Sequence, residues 1–332
     1  LTFDNFDPSR VPSPCYVVDR AVVEGNLQVL NRVQRESGAK VLAALKAFSM
    51  WKLGPLTAQY LSGTCASGLH EALLGRDEYA GEVHVFSAAF TEPDLTEILG
   101  FADHVVFNSF SQWQRFQPLL QAAKNSRPSI QYGLRINPEH SEGAVAIYDP
   151  CAPCSRLGIP LSQFDGQNLA GITGLHFHTL CEQDFKPLQR TLTVVEEKFG
   201  HLLQDMEWVN FGGGHHITRA GYQVEELIAA IKAFASKYNV QVYLEPGEAI
   251  AIHSGVLVAE VLDTAAARIR VERITSFSSA ENLVLGVLCV GVCFLAVSFR
   301  GAGLMFDVVS FVISFTCIFL TLFVYECSRF SF

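Results

Sequence analysis

The stretch Lys40-Val-Leu-Ala-Ala-Leu-Lys46 is an apolar run that brings one lysine to its carboxyl end. A run of this length between helix-like sequences is typical of a parallel strand that is buried on both faces. Seven further strand-like runs follow at similar spacing, at residues 62–66, 83–87, 104–108, 130–136, 172–178, 207–211 and 240–244. Strands that alternate with helices in this way favour an α/β fold, the TIM (β/α)8 barrel.

Catalytic groups in a TIM barrel follow the carboxyl ends of the strands, so these positions indicate where chemistry is expected. Polar residues and glycines recur there: Lys46, Ser67, Asn108, Arg135, His178, Gly212 to Gly214 and Glu245. Two interpretations are open for a lone Lys46. It either extends its amine into solvent or is an activated amine that bonds covalently to an aldehyde cofactor. The other strand-end residues favour the second interpretation.

The segment Trp208-Val-Asn-Phe-Gly-Gly-Gly214 runs from a predicted strand into three consecutive glycines. Without a Cβ, successive backbone N–H groups can approach a phosphate closely. A glycine-rich tight turn needs no ligand, but this turn follows a strand at the usual phosphate site of the barrel. The sequence therefore predicts phosphate binding at Gly212, Gly213 and Gly214.

Four separated motifs occur in the same order in carboxynorspermidine/carboxyspermidine decarboxylases: 43–48, 174–182, 210–214 and 245–249. From about Pro12 to Thr264 the chain resembles this family of fold type III enzymes, which also includes ornithine and diaminopimelate decarboxylases. The resemblance implies pyridoxal 5'-phosphate as cofactor and a second, β-rich domain beside the barrel. It also implies a homodimer that converts carboxynorspermidine or carboxyspermidine to norspermidine or spermidine in polyamine biosynthesis.

The resemblance also implies roles for single residues. Lys46 would hold the cofactor covalently, and His178 would stack on the pyridine ring. Glu245 would face the ring nitrogen and keep it protonated, because a protonated ring is the better electron sink. Ser67 would lie near the cofactor, although a serine that caps the following helix explains this position almost as well.

Three charged residues are expected to contact the substrate or the cofactor phosphate. Arg135 suits a site beside a phosphate, and a structural ion pair is an equally open interpretation. Glu248 stands where ornithine-type relatives carry arginine, three positions after Glu245, and an acidic side chain there would help to recognise an amine. Together with Glu182, it favours a carboxylated polyamine over ornithine or diaminopimelate as substrate.

The composition narrows the class of protein further. A net charge of -9 in 332 residues argues against nucleic-acid binding and modestly favours cationic substrates. Nine cysteines, an odd number, do not suggest a disulfide framework. Neither Cys151-Ala-Pro-Cys154 nor His176-Phe-His178 has further ligands at metal spacing, so no metal site is expected. No signal peptide precedes the barrel, so the catalytic part is expected in the cytoplasm.

The predicted domains are a strand segment of the β domain (1–19), the barrel (20–250), the start of a C-terminal β domain (251–264) and an atypical hydrophobic tail (265–332). The tail contains two uncharged runs, 283–299 and 308–325. They lie near the lower length limit of membrane-spanning helices. A shifted reading frame, a membrane hairpin and a buried strand pair are the open interpretations. Relatives complete their active site with this region. The alternative functions are therefore a catalytically impaired cofactor-binding homologue, with or without a membrane tether, and a diaminopimelate- or ornithine-type decarboxylase.

Overall fold

Eight parallel strands close into the barrel that the sequence predicts. The computed structural model describes residue 3 and residues 5–143 and 149–261. Its strands are β1 Cys15–Val18, β2 Lys40–Ala44, β3 Gly63–Ala66, β4 Glu82–Phe86, β5 His104–Phe107, β6 Gln131–Asn137, β7 Ile159–Pro160, β8 Gly174–His176, β9 Trp208–Asn210, β10 Gln241–Leu244 and β11 Gly255–Val258. The barrel order is β2-β3-β4-β5-β6-β8-β9-β10, and β10 pairs again with β2.

Helices follow the strands around the barrel. They are α1 Arg20–Ser37, α2 Gly54–Thr57, α3 Leu69–Glu78, α4 Glu92–Leu99, α5 Phe110–Arg115, α6 Gln117–Ser126, α7 Phe185–Leu203, α8 Val224–Tyr238 and α9 Glu248–Ala251. Apolar residues at helical spacing over 20–37, followed by Gly38, predict a helix there, and α1 confirms it. Asp19 caps its first turn, and Gly38 ends it at φ 79°.

The sequence pattern over 110–124 predicts one amphipathic helix, but the structure has two. The break falls at Phe116, between α5 and α6. Pro118 has no N–H to donate to the carbonyl of Gln114, and its ring would clash with the preceding turn of a continuous helix. The prediction of a single helix is therefore wrong at this point.

The barrel interior is filled by large side chains. Leu42, Val106, Trp208 and Tyr243 form one buried cluster. The indole of Trp208 lies so close to β8 that a Cβ on Gly174 would come within 2.0 Å of the ring. A side chain at that position would overpack the interior, so the glycine is required there.

The described residues divide into two compact units, Asp19–Ser254 and a second unit that contains β1 and β11. In the second unit, β1 and β11 pair antiparallel, with Cys15 opposite Val258. The predicted hydrophobic tail, 265–332, lies outside the described residues, and so do 262–264. Among the helices that the structure describes, none is long and apolar enough to cross a membrane.

Candidate active site at the carboxyl ends of the strands

One pocket of about 320 Å³, partly open to solvent, lies where the barrel strands end. Five of the predicted site residues line it: Lys46, Ser67, Arg135, His178 and Glu245. Four further residues complete the lining, namely Cys65, Ala66, Phe86 and His176. The lining residues belong to β3, β4, β6 and β8 or directly follow the ends of β2, β3, β8 and β10. They meet in one place although they are up to about two hundred positions apart in sequence.

Lys46 lies in a turn just beyond β2. The N–H of Ala44 donates to the carbonyl of Pro246 at 3.0 Å, and the N–H of Leu45 donates to that of Cys65 at 3.1 Å. These two bonds fix the turn between the ends of β10 and β3. Lys46 itself is exposed, and its amine has no hydrogen-bond or ion-pair partner within the described residues. The amine is therefore available to a ligand in the pocket.

Glu245 directly follows β10, and its carboxylate is held from two sides. Asn210 donates from Nδ2 to Oε1 at 2.7 Å, and Nε2 of His176 lies 3.4 Å from Oε2. Burial alone would raise the pKa of Glu245, but electrostatic interactions with His176, His178 and Lys46 outweigh burial and bring the pKa below its usual range. Burial lowers the pKa of His176. Both members of this buried pair therefore have lowered pKa values.

His178 lies two residues beyond β8. Its Nδ1 accepts a hydrogen bond from the N–H of Gly213 at 3.1 Å. Burial, reinforced by the charges of Lys46 and Arg135, lowers the pKa of His178 well below its usual range. Because Nδ1 is an acceptor and the ring is neutral, the proton belongs on Nε2. The imidazole is thus fixed in one tautomer at the edge of the pocket.

Arg135 is on β6 and is buried, with 5% of its surface exposed. It donates to the carbonyl of His178 at 3.2 Å, and its guanidinium lies 4.6 Å from the ring centre of Phe86. Burial lowers the pKa of Arg135 to about 10, so the side chain stays charged at neutral pH. Within the described residues no carboxylate is at ion-pair distance from Arg135. A buried cation therefore faces the pocket with spare hydrogen-bonding capacity.

The glycine loop after β9 uses two of its N–H groups within the protein. Gly212 donates to Oδ1 of Asn210 at 2.8 Å, and Gly213 donates to His178. In the described residues, the N–H of Gly214 has no acceptor. Cβ atoms on Gly213 and Gly214 would meet carbonyl oxygens at 2.0 Å. The first two glycines thus hold the side chains of Asn210 and His178, and only Gly214 offers a free N–H.

Ser67 does not act as a helix cap. Gly68 occupies the N-cap position of α3, and no side chain caps that helix. The N–H of Ser67 donates to Glu71 at 2.8 Å, which leaves the exposed hydroxyl at the rim of the pocket. The alternative interpretation of Ser67 as a capping residue is therefore wrong.

Glu182 and Glu248 lie outside this pocket but close to one another. Glu248 opens α9 and contacts Nε2 of His216 at 2.9 Å. Burial and the charge of Glu248 raise the pKa of Glu182. The two carboxylates follow β8 and β10, at the same end of the barrel as Lys46. They form an acidic patch that would gain stability from a cation.

Sequence analysis did not identify Asn210 or Cys65 as site residues. Asn210 is 1% exposed and links the glycine loop to Glu245. Cys65 lines the pocket, and burial and the charge of Glu245 raise the pKa of its thiol. The signal for Asn210 was available, because a polar residue at the end of a buried strand, two positions before a glycine turn, needs a partner.

The sequence is similar to that of a "Carboxynorspermidine/carboxyspermidine decarboxylase" from Campylobacter jejuni, with 45% identity over 254 residues, 76% of this chain and 65% of the relative. A relative of the same name from Herminiimonas arsenicoxydans is 38% identical over 258 residues, 76% of this chain and 68% of the relative. The chain belongs to the carboxynorspermidine/carboxyspermidine decarboxylase family. It spans about two thirds of the length of these family members.

Solved structures agree with this family. The chain resembles the crystal structure of carboxynorspermidine decarboxylase from Campylobacter jejuni complexed with norspermidine, at 42% identity and a TM-score of 0.69, over 78% of this chain and 66% of that one. A diaminopimelate decarboxylase from Helicobacter pylori complexed with L-lysine is 17% identical, with a TM-score of 0.61 over 75% of this chain and 67% of that one. The second likeness shows the shared fold alone. No family model matches the chain.

Proposed function

We propose that this chain is a pyridoxal-phosphate-dependent decarboxylase that removes the carboxyl group of carboxynorspermidine or carboxyspermidine. The observation that carries the proposal is the arrangement of Lys46, His178 and Glu245 around one pocket, with Asn210 behind the carboxylate. The members of the family that are similar over the barrel bear the name of this activity.

The residues present fit the cofactor. Lys46 offers an unpartnered amine for covalent attachment, and the ionised Glu245 offers a partner for a protonated pyridine nitrogen. The neutral His178 offers a flat face to the ring, while the N–H of Gly214 and the charge of Arg135 offer donors to a phosphate. Pyridoxal phosphate, when bound, supplies an electron sink as the carboxyl group leaves as CO₂.

Glu245 and His178 have separate roles, and each role depends on the hydrogen bonds that the side chain makes. Glu245 remains ionised because Asn210 donates to it and His176 contacts it, so it can hold a proton on the ring nitrogen. His178 keeps its proton on Nε2 because Nδ1 is engaged by the loop. The low polarity around these buried groups strengthens each of these contacts.

Glu182 and Glu248 support a polyamine as substrate. A carboxylated polyamine carries amines beyond the group that reacts, and these are cationic at neutral pH. Burial and the charge of Glu248 raise the pKa of Glu182, and His216 and Arg219 only partly oppose this shift. An incoming ammonium would relieve the repulsion from Glu248. The Campylobacter jejuni enzyme was crystallised with norspermidine, a polyamine that lacks the carboxyl group.

A homodimer and a cytoplasmic location rest on the family resemblance and remain predictions. In other fold type III decarboxylases, as the resemblance implies, the partner subunit completes the site. Sedimentation of the purified chain would test the dimer directly.

The deciding experiment combines borohydride reduction with peptide mass spectrometry and CO₂ release. We expect the pyridoxyl group on Lys46, its loss in Lys46→Arg, and its retention in the matched control Lys52→Arg. We also expect faster CO₂ release from carboxynorspermidine than from diaminopimelate or ornithine. Labelling of another lysine would refute the cofactor site. Labelling of Lys46 without CO₂ release would identify an impaired homologue, and faster release from diaminopimelate would refute the substrate.

A further inference from the structure

A second cluster of potential ligands lies at the opposite end of the barrel, where the strands begin. Glu82 and His104 are the first residues of β4 and β5. Glu82 and His84 are two positions apart on one strand, so their side chains leave the same face. His84 and His104 lie opposite each other in the register of β4 and β5. The three side chains therefore share one face of two neighbouring strands.

The contacts within this cluster are close. Oε2 of Glu82 lies 2.9 Å from Nε2 of His84, and the ammonium of Lys40 contacts Oε1. One ligand atom from each of Glu82, His84 and His104 lies within 4.8 Å of the others. The ammonium of Lys40 therefore already forms an ion pair with the carboxylate of Glu82.

The two histidines are buried but incompletely bonded. His84 is 2% exposed and His104 is 5% exposed. Nδ1 of each ring has no hydrogen-bond partner within the described residues. Buried polar atoms usually find partners, because leaving them unpaired costs free energy. Two nitrogens without a partner therefore lie on facing residues of adjacent strands.

We propose that Glu82, His84 and His104 form a binding site for a divalent d-block cation, with Zn²⁺ as the preferred ion. Two imidazoles and one carboxylate are a ligand set that Zn²⁺ takes in proteins, with water in the fourth position. The ion would link β4 to β5 at the amino end of the barrel, away from Lys46. It would stabilise the fold without taking part in the reaction at the other end.

Two local movements accompany binding. The rings of His84 and His104 stack at 3.8 Å with 15° between their planes, so one ring must turn before both lone pairs point to one position. Lys40 must also leave Glu82, and its side chain, which is 39% exposed, can extend into solvent. Zn²⁺ then replaces the ammonium as the positive charge beside the carboxylate. Lys40 is therefore a competitor of the metal, which makes it a direct probe of the site.

The test uses the full chain with its cofactor, freed of metal by a chelator and then titrated with ZnCl₂ in a calorimeter. We expect one Zn²⁺ per chain and a higher midpoint of thermal unfolding in its presence. His84→Gln and His104→Gln should each lower the affinity at least about tenfold. His201→Gln, a change of an exposed histidine on α7, is the matched control and should leave the affinity unchanged.

Lys40→Met keeps all three ligands and should bind Zn²⁺ more tightly than the unchanged chain. Co²⁺ in the same site should show the visible bands of a tetrahedral ion and no thiolate charge-transfer band. Unchanged affinity in Lys40→Met, or a thiolate band that persists in His104→Gln, would overturn the proposal. CO₂ release is measured in parallel, because the metal site and the proposed decarboxylase function can each fail without the other.

Discussion

Replacing Asn210 by aspartate tests how the protein holds Glu245 in its ionised state. Asn210→Asp preserves the shape of the side chain and keeps an oxygen to accept the N–H of Gly212. It removes the donor that contacts Oε1 of Glu245 at 2.7 Å. Two carboxylates then face each other in a site where Asn210 is 1% exposed. Such a pair shares a proton.

The size of the effect follows from the geometry. Two like charges about 4 Å apart repel by about 4 kcal/mol at an effective dielectric constant of about 20. That repulsion corresponds to a rise of about 3 units in one pKa of the pair. Because the oxygen of the new carboxylate would replace a nitrogen at hydrogen-bond distance from Oε1, the rise should be at least this large. The pKa of one carboxyl group of the pair should then be raised.

The sign of the pH dependence reverses with the substitution. In the unchanged chain the pKa of Glu245 is lowered, so its contribution to stability is present above the unfolded value of about 4.3 and is lost as the pH falls. In Asn210→Asp one pKa of the pair is raised. The variant therefore loses stability relative to the unchanged chain as the pH rises from about 4 to about 7. Urea unfolding across this range measures the difference.

Asn137→Asp is the matched control. Asn137 is also buried on a barrel strand, and its Oδ1 accepts the N–H of Glu139 at 2.8 Å, a role that aspartate retains. Between pH 4 and 7 the Asn137→Asp variant should lose clearly less stability than the Asn210→Asp variant. The turnover of Asn210→Asp should fall, and the acidic limb of its pH profile should move upward. Equal pH dependence in both variants, with unchanged turnover, would show that Asn210 does not control Glu245.

Three further outcomes follow from the structure. Glu245→Gln should lower the rate of CO₂ release far more than the affinity for pyridoxal phosphate, because the neutral amide cannot hold a proton on the ring nitrogen; equal losses in an absorbance titration and a rate assay would contradict this. Gly174→Ala should destabilise the fold by at least ~1 to 3 kcal/mol through contact with Trp208, measured by thermal unfolding, whereas Gly25→Ala in α1, with nothing within 4 Å, should not destabilise it. Glu182→Gln should raise KM for the polyamine with little change in kcat. It should also raise the melting temperature at pH 7 but not at pH 4, because the pKa of Glu182 is raised in the folded protein. A lower melting temperature at pH 7 would contradict this reasoning.

The sequence by itself determined the order and type of the barrel elements. The buried run from Lys40 to Ala44, the helix 20–37 with its stop at Gly38, and the polar residues at the strand ends are local patterns. Local patterns also predicted that Lys46, His178 and Glu245 lie close together, because the carboxyl ends of parallel strands meet at one rim of the barrel. The break at Phe116 shows the limit of periodicity, since Pro118 interrupts an otherwise helical pattern.

The tertiary structure alone decided which groups bond to one another. The glycines after β9 were expected to face a phosphate, yet two of their N–H groups hold Asn210 and His178. The stacking of His84 on His104 depends on the register of two strands that lie twenty positions apart. Hydrogen-bond partners and burial depend on distances between residues that are remote in the chain. Sequence spacing does not contain these distances, so partners and protonation states appear only once the barrel closes.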